Sequence, residues 1–480
     1  MSSVLKRDSM DAITEELEAK LKEAALDQST ASQNKRLGLA DLPPSVRNNI
    51  YKHVLDTEFV NLGKPNVSYT HSIRDGVLHF KASRPPFPID TALFYVSKNI
   101  SAEAVKYFYS QNLFIKLSIY TADARHAKTM LEDSGLLFST TTTERLDRVK
   151  NHAMDLTVLE KNSSQLRASV MFPAQYLPRL INFLNEASKT TASWSQHHSL
   201  FINVLNTYDF PLAKLQGDLL ELFRLLTNLG AVTIDNENLL PGYAQDLQES
   251  MTAASFTATH WLGALLQLAE QGDENLRGKK FALAKEYYEA VIIALTYGYL
   301  TRAEVLHTQA ESFPEAIQHL RWRCELHLSK SLSGLESSIA GTGNSLTDAD
   351  LSSKRRLIAK DMLQAESSAS RALSLSTDSP SPSSNPWFAT IPAETIPPNK
   401  AEWFTDAERG QSWLQCGVAH MALGEYLFAA GDLERASRLL QGNEELGKEV
   451  EDRFAEAREK IDWNIRPGVG LEKAARLVRG

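Results

Sequence analysis

The residues in this 480-residue chain that could do chemistry are few and scattered. His197-His198 precede a strand-like stretch and could act as metal ligands or as a base pair. A metal site needs further ligands at recognisable spacing, and no second cluster supplies them, so the pair reads as a surface or strand-edge feature. Gly410-Gln-Ser412-Trp-Leu lacks the second glycine of a nucleophile elbow. Gly341-Thr-Gly343-Asn-Ser345 lacks the lysine that a phosphate loop requires. Cys324 and Cys416 fall inside apolar-periodic helical segments, where packing is the expected role rather than thiolate chemistry. Lys354-Arg355-Arg356 reads as a surface helix start, and the acidic residues of 401–460 alternate with Arg and Lys as a solvated helix face does. No glycine fingerprint stands at any strand-to-helix junction. The sequence therefore reads as a non-enzyme, with no catalytic, cofactor-binding or metal-binding set.

The elements that carry these residues begin with two short amphipathic helices. Leu42-Pro43-Pro44 predicts a helix start, because proline tolerates the first turn and has no N–H to waste there. Val46, Ile50 and Val54 recur every four residues and share a face, widened by Tyr51 and Leu55. A second helix is expected from an N-cap at Asp90 or Thr91, with Leu93, Val96, Ile100, Ala104 and Phe108 as its stripe. From Asn112 the period switches to two, placing Leu113, Ile115, Leu117 and Ile119 on one side of a strand. Between the helices, 56–89 reads as a hairpin that covers the helix pair. Val67, Tyr69 and His71 alternate, Asp75-Gly76 is a turn, and Val77, His79 and Phe80 resume.

The motifs L-P-x-x-x-R-x-x-I-Y at 42–51 and S-K-N-I-S-A-E-A-V-x-Y-F-Y-S-Q-N-L-F at 97–114 resemble the F-box-like family abundant in filamentous fungi. That resemblance implies docking to the Skp-type adaptor of a cullin–RING ubiquitin ligase. The positions it assigns to the adaptor are Leu39, Leu42, Pro43, Ile50 and Val54.

Beyond residue 120, strand-like stretches (Ala153–Leu159, Leu200–Leu205, Ala231–Asp235) alternate with helical ones (Tyr176–Ala187, Leu215–Leu229). The alternation predicts a small parallel sheet with packed helices. From 243 to 465 the pattern is helical throughout. Three stretches, around Ala284, Ala365 and Ala436, resemble tetratricopeptide repeats, in which alanine lets helices approach closely. In the third, Leu423-Gly424 is expected to close the first helix, with Gly431-Asp432 before the second. Ser333–Asp350 reads as a loop, Ser374–Lys400 as a mobile low-complexity linker, and Glu445–Asp462 as a capping helix. Trp261, Trp322, Trp403 and Trp413 read as core packing.

The expected fold is thus α+β and multidomain. Residues 1–36 are a charged helix (stripe Ile13, Leu17, Leu21) and linker; 37–120 form an F-box-like helical and hairpin module. A small α/β region spans 121–240, an all-α tetratricopeptide-like helical repeat half spans 241–465, and 466–480 is a tail. Two cysteines exclude a disulfide framework and point to a reducing compartment, cytoplasmic or nuclear. A net charge of −8 argues against nucleic-acid and anionic-membrane partners, and no apolar run approaches a membrane span. Two functions stay open: a ubiquitin-ligase substrate receptor that binds a client through its repeat half, or a non-enzymatic scaffold with no ligase link. No cofactor is expected, and the partners are proteins.

Overall fold

The computed structural model describes residues 38–191, 193–310, 312–340, 348–377 and 400–479. The expected helix at 13–21, the segment 341–347 and residues 378–399 of the expected linker lie outside the described residues. The chain divides at Arg47/Asn48 into two units.

In the first unit, Leu39–Asp41 is a 3₁₀ turn, and Asp41 Oδ2 accepts the Gly38 N–H at 2.8 Å. Helix α1, Pro44–Leu55, starts at the prolines as expected. The Pro43 carbonyl takes the N–H groups of Val46 and Arg47 at 3.0 and 3.1 Å. Arg47 Nη1 donates to the Leu42 carbonyl at 2.5 Å.

In the second unit, Tyr51 and Leu55 of α1 are fully buried against Ala104 of α2, Lys98–Asn112. The single helix expected from Asp90 is two elements. Asp90 caps a 3₁₀ turn, Thr91–Tyr95, and Ser97 then caps α2 through the Ile100 N–H. Two capping side chains seven residues apart each start a helix, so the stripe breaks between them. Tyr95 and Val96 stand at the break, 85% and 58% exposed, and Val96 leaves the stripe. The two helices are stapled by buried Asn112. Its Oδ1 accepts from Thr57 N (2.9 Å) and Oγ1 (2.7 Å), and its Nδ2 donates to the Leu55 and Phe108 carbonyls.

The hairpin, β1 (Tyr69–Arg74) and β2 (Val77–Ala82), turns at Asp75-Gly76, both at positive φ (50° and 78°). That mirror-image turn matches the right-handed strand twist and suits Asp-Gly. The hairpin covers the sheet rather than the helix pair. Tyr69 stacks on Phe138 at 4.1 Å, and Leu78 joins the main core.

The sheet is mixed, not parallel. It comprises β3 (Phe114–Tyr120), β4 (Met154–Glu160), β5 (Leu166–Pro173), β6 (His198–Val204) and β7 (Ala231–Ile234), in order β5-β3-β4-β6-β7. β3 is parallel to β4, and β6 to β7; the β3–β5 and β4–β6 pairs are antiparallel. Helices α3 (Ala124–Glu132), α4 (Thr143–Leu146), α5 (Leu177–Thr190) and α6 (Leu212–Leu220) connect the strands. The helix expected over Leu215–Leu229 is shorter: α6 passes into a 3₁₀ turn, Glu221–Leu225, and the chain is extended at Leu226.

The mixed α+β region is followed by a stacked all-α region, and no strand follows Ile234 among the described residues. Its helices are α7 (Tyr243–Thr252), α8 (Ala258–Arg277), α9 (Phe281–His307), α10 (Ser312–Ala340), α11 (Asp348–Ser376), α12 (Asp406–Ala422), α13 (Tyr426–Leu439), α14 (Glu444–Glu459) and α15 (Val469–Arg479). Each packs on the next from α8 to α14, and α15 returns to α11. Three expectations change here. Ser333–Ala340 and Asp348–Asp350 are helical, not loop, and 466–480 carries α15. Gly431 and Asp432 lie inside α13, because the chain turns earlier, at Gly424 with φ 75°.

The closest helix contacts are made over small residues. Gly272 of α8 lies under the Tyr288 ring, where a Cβ would come within 2.7 Å of it. The neighbouring Asp273 ties three helices. Its carboxylate accepts from Tyr288 Oη (2.6 Å) on α9 and from His327 Nδ1 (2.7 Å) and Arg323 Nε (2.8 Å) on α10. Burial pushes the Asp273 carboxyl up, but the hydrogen bonds from His327 and Tyr288 outweigh it and hold the group well below the usual carboxylate range. Burial also holds the His327 imidazole below its ordinary 6.5.

Two predictions follow from this packing. A Cβ at Gly298 of α9 would collide with the Trp261 indole, whereas one at Gly263 of α8 meets nothing within 4 Å. Gly298→Ala is expected to destabilise by about 1–2 kcal/mol, overpacking outweighing the helix-propensity gain. Gly263→Ala is expected to stabilise by about 0.5–1 kcal/mol; urea unfolding midpoints that shift in the same direction would contradict this. The Asp273 cluster sets an acid limit. The unfolded chain protonates its histidine near 6.5 and its aspartate near 3.8, while the folded chain resists both. Stability should therefore fall as the pH drops below 6.5 and again through 3.8. Asp273→Asn should cost about 2–3 kcal/mol at neutral pH and remove the lower of the two losses. An unchanged midpoint at pH 7 and pH 4 would refute it.

Candidate docking surface and polar pockets

The five residues assigned to an adaptor by resemblance are not sealed in the interior. Pro43 is exposed, and Leu39 and Leu42 are half-buried in the first unit, where the Leu42 N–H donates to the Leu39 carbonyl at 3.4 Å. In the second unit, Ile50 and Val54 are half-buried, one turn apart on α1. Val54 leans on the cluster formed by Tyr51, Leu55 and Ala104. The single apolar face inferred for this helix is therefore two stripes. Tyr51 and Leu55 are committed to the core, and Ile50 and Val54 keep part of their surface in solvent.

The paired histidines separate in role. His198 opens β6 and is buried, stacked on Trp194 at 4.2 Å; His197 is exposed. Each Nδ1 sits near the main-chain carbonyl four residues back, His198 at 2.7 Å from Trp194 and His197 at 2.6 Å from Ser193. These contacts place the ring proton on Nδ1 and leave Nε2 as the acceptor in the neutral form. Burial holds the His198 imidazole below its ordinary value, so it is neutral at pH 7. Both rings line a cavity of about 460 Å³ together with His126, Glu160, Phe183 and Trp194. His126 Nδ1 lies 3.6 Å from Glu160 Oε2, and that oxygen accepts the Ala122 N–H at 2.8 Å.

The sequence reading missed His126 and Glu160, because a cavity built from three separated elements leaves no spacing signal. A neutral imidazole beside a carboxylate has the means to accept a proton. Among the described residues, however, no hydroxyl or thiol is hydrogen-bonded to any of these three imidazoles. Among the same residues, no group of three or more His, Cys, Asp or Glu is placed to hold a metal ion.

The remaining candidates are packed into the stack. Cys324 and Cys416 are buried, and burial drives both thiols well above their ordinary range, which removes the thiolate that reactivity needs. Ser412 is buried between α10 and α11, accepting from Trp322 Nε1 at 2.8 Å and lying 3.0 Å from Ser376 Oγ. Lys354-Arg355-Arg356 falls in the early turns of α11, where Arg356 Nε donates to the Leu477 carbonyl of α15 at 3.2 Å. Trp261 and Trp322 are core residues as expected. Trp403 and Trp413 are half-buried, the latter under the Arg435 guanidinium at 4.7 Å.

In the helical region, Leu276, Phe281, Lys330, Leu414, Leu446 and Arg453 line a cavity of about 500 Å³. It opens where α8, α9, α10, α12 and α14 meet. Among the described residues, no helix is long and apolar enough to cross a membrane. No family model matches this chain, and neither a curated protein nor a solved structure matches it.

Proposed function

We propose that this chain is a non-enzymatic protein-interaction protein. Its stretch from Leu39 to Val54 docks a Skp-type adaptor, and its helical stack takes a client, in the manner of a ubiquitin-ligase substrate receptor. The observation that carries the reading is the partition of α1. Tyr51 and Leu55 hold the fold, while Ile50 and Val54 remain partly in solvent and available to a partner. The client side rests on the cavity lined by Phe281, Leu446, Lys330, Glu449 and Arg453, which mixes apolar groups with charges of both signs.

Magnitudes limit what the anchors supply. Full burial of a Leu or Ile side chain is worth roughly 1.5–3 kcal/mol, so a half-buried one has about 1 kcal/mol left to gain. The four half-buried anchors, Leu39, Leu42, Ile50 and Val54, give about 4 kcal/mol, which is the low end of the cost of association alone. Micromolar affinity needs about 8 kcal/mol net. An adaptor must therefore also contact polar surface around these anchors, and loss of two anchors should be enough to release it.

The test is co-elution of the full chain with a purified Skp-type adaptor on size exclusion. The native chain is expected to co-elute. Leu42→Asp with Ile50→Asp is expected to abolish co-elution while leaving the thermal unfolding temperature within a few degrees, since neither residue is in the core. If the native chain never co-elutes, the receptor reading fails, and a scaffold without a ligase link is the reading that stands.

A further inference from the structure

A second cavity, of about 590 Å³, lies between the hairpin and the face of α3 and α5. Three cations line it, Lys64, Arg84 and Arg179, against one carboxylate, Glu132. In a chain whose net charge is −8, this local reversal of sign needs a cause. Glu132 offsets only part of it: its Oε2 lies 3.6 Å from Lys128, while its Oε1, 3.5 Å from His71 Nδ1, has no hydrogen-bond partner among the described residues.

The two guanidinium groups are held in place by main-chain oxygens and, for Arg84, by the Asn61 side chain as well. Arg84 donates through Nε to Pro65 (2.8 Å) and through Nη1 to Asn61 Oδ1 (2.9 Å) and Pro85 O (3.0 Å). Arg179 donates through Nη1 to Gly135 O at 2.8 Å and lies over the Tyr176 ring at 5.1 Å. The Nη2 groups of both, and the Lys64 ammonium, have no partner among the described residues. The cavity floor is uncharged. Burial pushes the Tyr69 phenol up to about 12, and its hydroxyl is spent on the Phe138 N–H and carbonyl, each at 2.9 Å.

We propose that this cavity binds a small phosphomonoester. Anchored guanidinium groups with spare N–H donors suit a compact dianion better than a single carboxylate. The volume is in the range of small-molecule sites. The Tyr176 ring, already under Arg179, offers a flat wall to the organic part of the ligand. This site is independent of the adaptor-docking reading and shares no residue with it.

The experiment is isothermal titration of the full chain with phenyl phosphate, with phenol as the uncharged control. Phenyl phosphate is expected to bind with a Kd of about 1 mM or tighter, and more weakly as salt is raised. Lys64→Gln and Arg179→Gln should each weaken binding about tenfold, and the double variant should abolish it. Both side chains are exposed, so the unliganded unfolding temperature serves as the check that the variants fold. No binding by the native chain, equal binding of phenol, or native-like binding by the double variant would each overturn the proposal.

Discussion

Helix α9 is required to be buried on most of its sides, and the rest of the second unit is arranged around that requirement. Ala284, Tyr287, Tyr288, Ala290, Val291, Ala294, Leu295, Gly298 and Tyr299 are all buried, more than one amphipathic stripe can hold. A helix with this distribution needs partners on several sides. It finds α8 and α10 in the stack and α6 from the sheet region. The α6 contact is close: a Cβ at Gly217 would meet Ile293 at 2.6 Å. It is also polar, because Glu286 of α9 accepts the Ala213 N–H at 2.8 Å, filling an N-terminal donor that α6 cannot satisfy itself. One hydrophobic core consequently runs from Leu78 of the hairpin to Phe404, without a seam near residue 240.

A stack rich in alanine and leucine has many near-equivalent registers, and buried polar groups select among them. Glu325 is fully buried, bonded to Arg321 Nη2 at 2.8 Å and 3.6 Å from Arg371 Nη1 of α11. Gln415 of α12 donates to Ser329 of α10 at 3.0 Å, and Ser329 in turn donates to the Ala365 carbonyl of α11 at 2.7 Å. Sliding any of these helices by one turn would leave a charge or amide unpaired in the interior. That penalty is about 1–3 kcal/mol for an unsatisfied polar group and about 3–5 kcal/mol for a broken buried ion pair. The Asp273 cluster does the same for α8, α9 and α10.

Legibility in the sequence followed the local signals. The proline start of α1, the Asp75-Gly76 turn and the alternation of Ile115, Leu117 and Ile119 each report a backbone preference written in adjacent residues. Strand β5 was not legible, because Ala168 to Pro173 are buried on both faces and show no alternation. A signal was nevertheless present: the link from Glu160 to Leu166 is too short for a parallel crossover, which already forces an antiparallel arrangement. The serine-rich end of α10 misled for a different reason. Serine favours loops because its hydroxyl competes for backbone groups. Here Ser331 and Ser333 spend theirs on the carbonyls four residues back, at 2.8 and 3.0 Å. The polar cavities were illegible in principle, since Lys64, Arg84 and Arg179, like His126, Glu160 and His198, meet only after the chain has folded.

The two stripes on α1 bear on the proposed docking, because the helix that would carry it also holds the fold. Successive residues on an α-helix are about 100° apart, so Ile50 and Tyr51 face different directions although both are apolar. Periodicity counting merges them into one broad face. Packing separates them, because Ala104 of α2 admits Tyr51 and Leu55 to full burial and Asn112 then fixes the angle of the pair. Val54 lies between the stripes, partly on the cluster and partly in solvent. A partner that covers Ile50 would therefore extend an existing core edge rather than open a new surface. Docking of that kind needs no rearrangement of the helix pair, so its cost is confined to association and to ordering the exposed side chains.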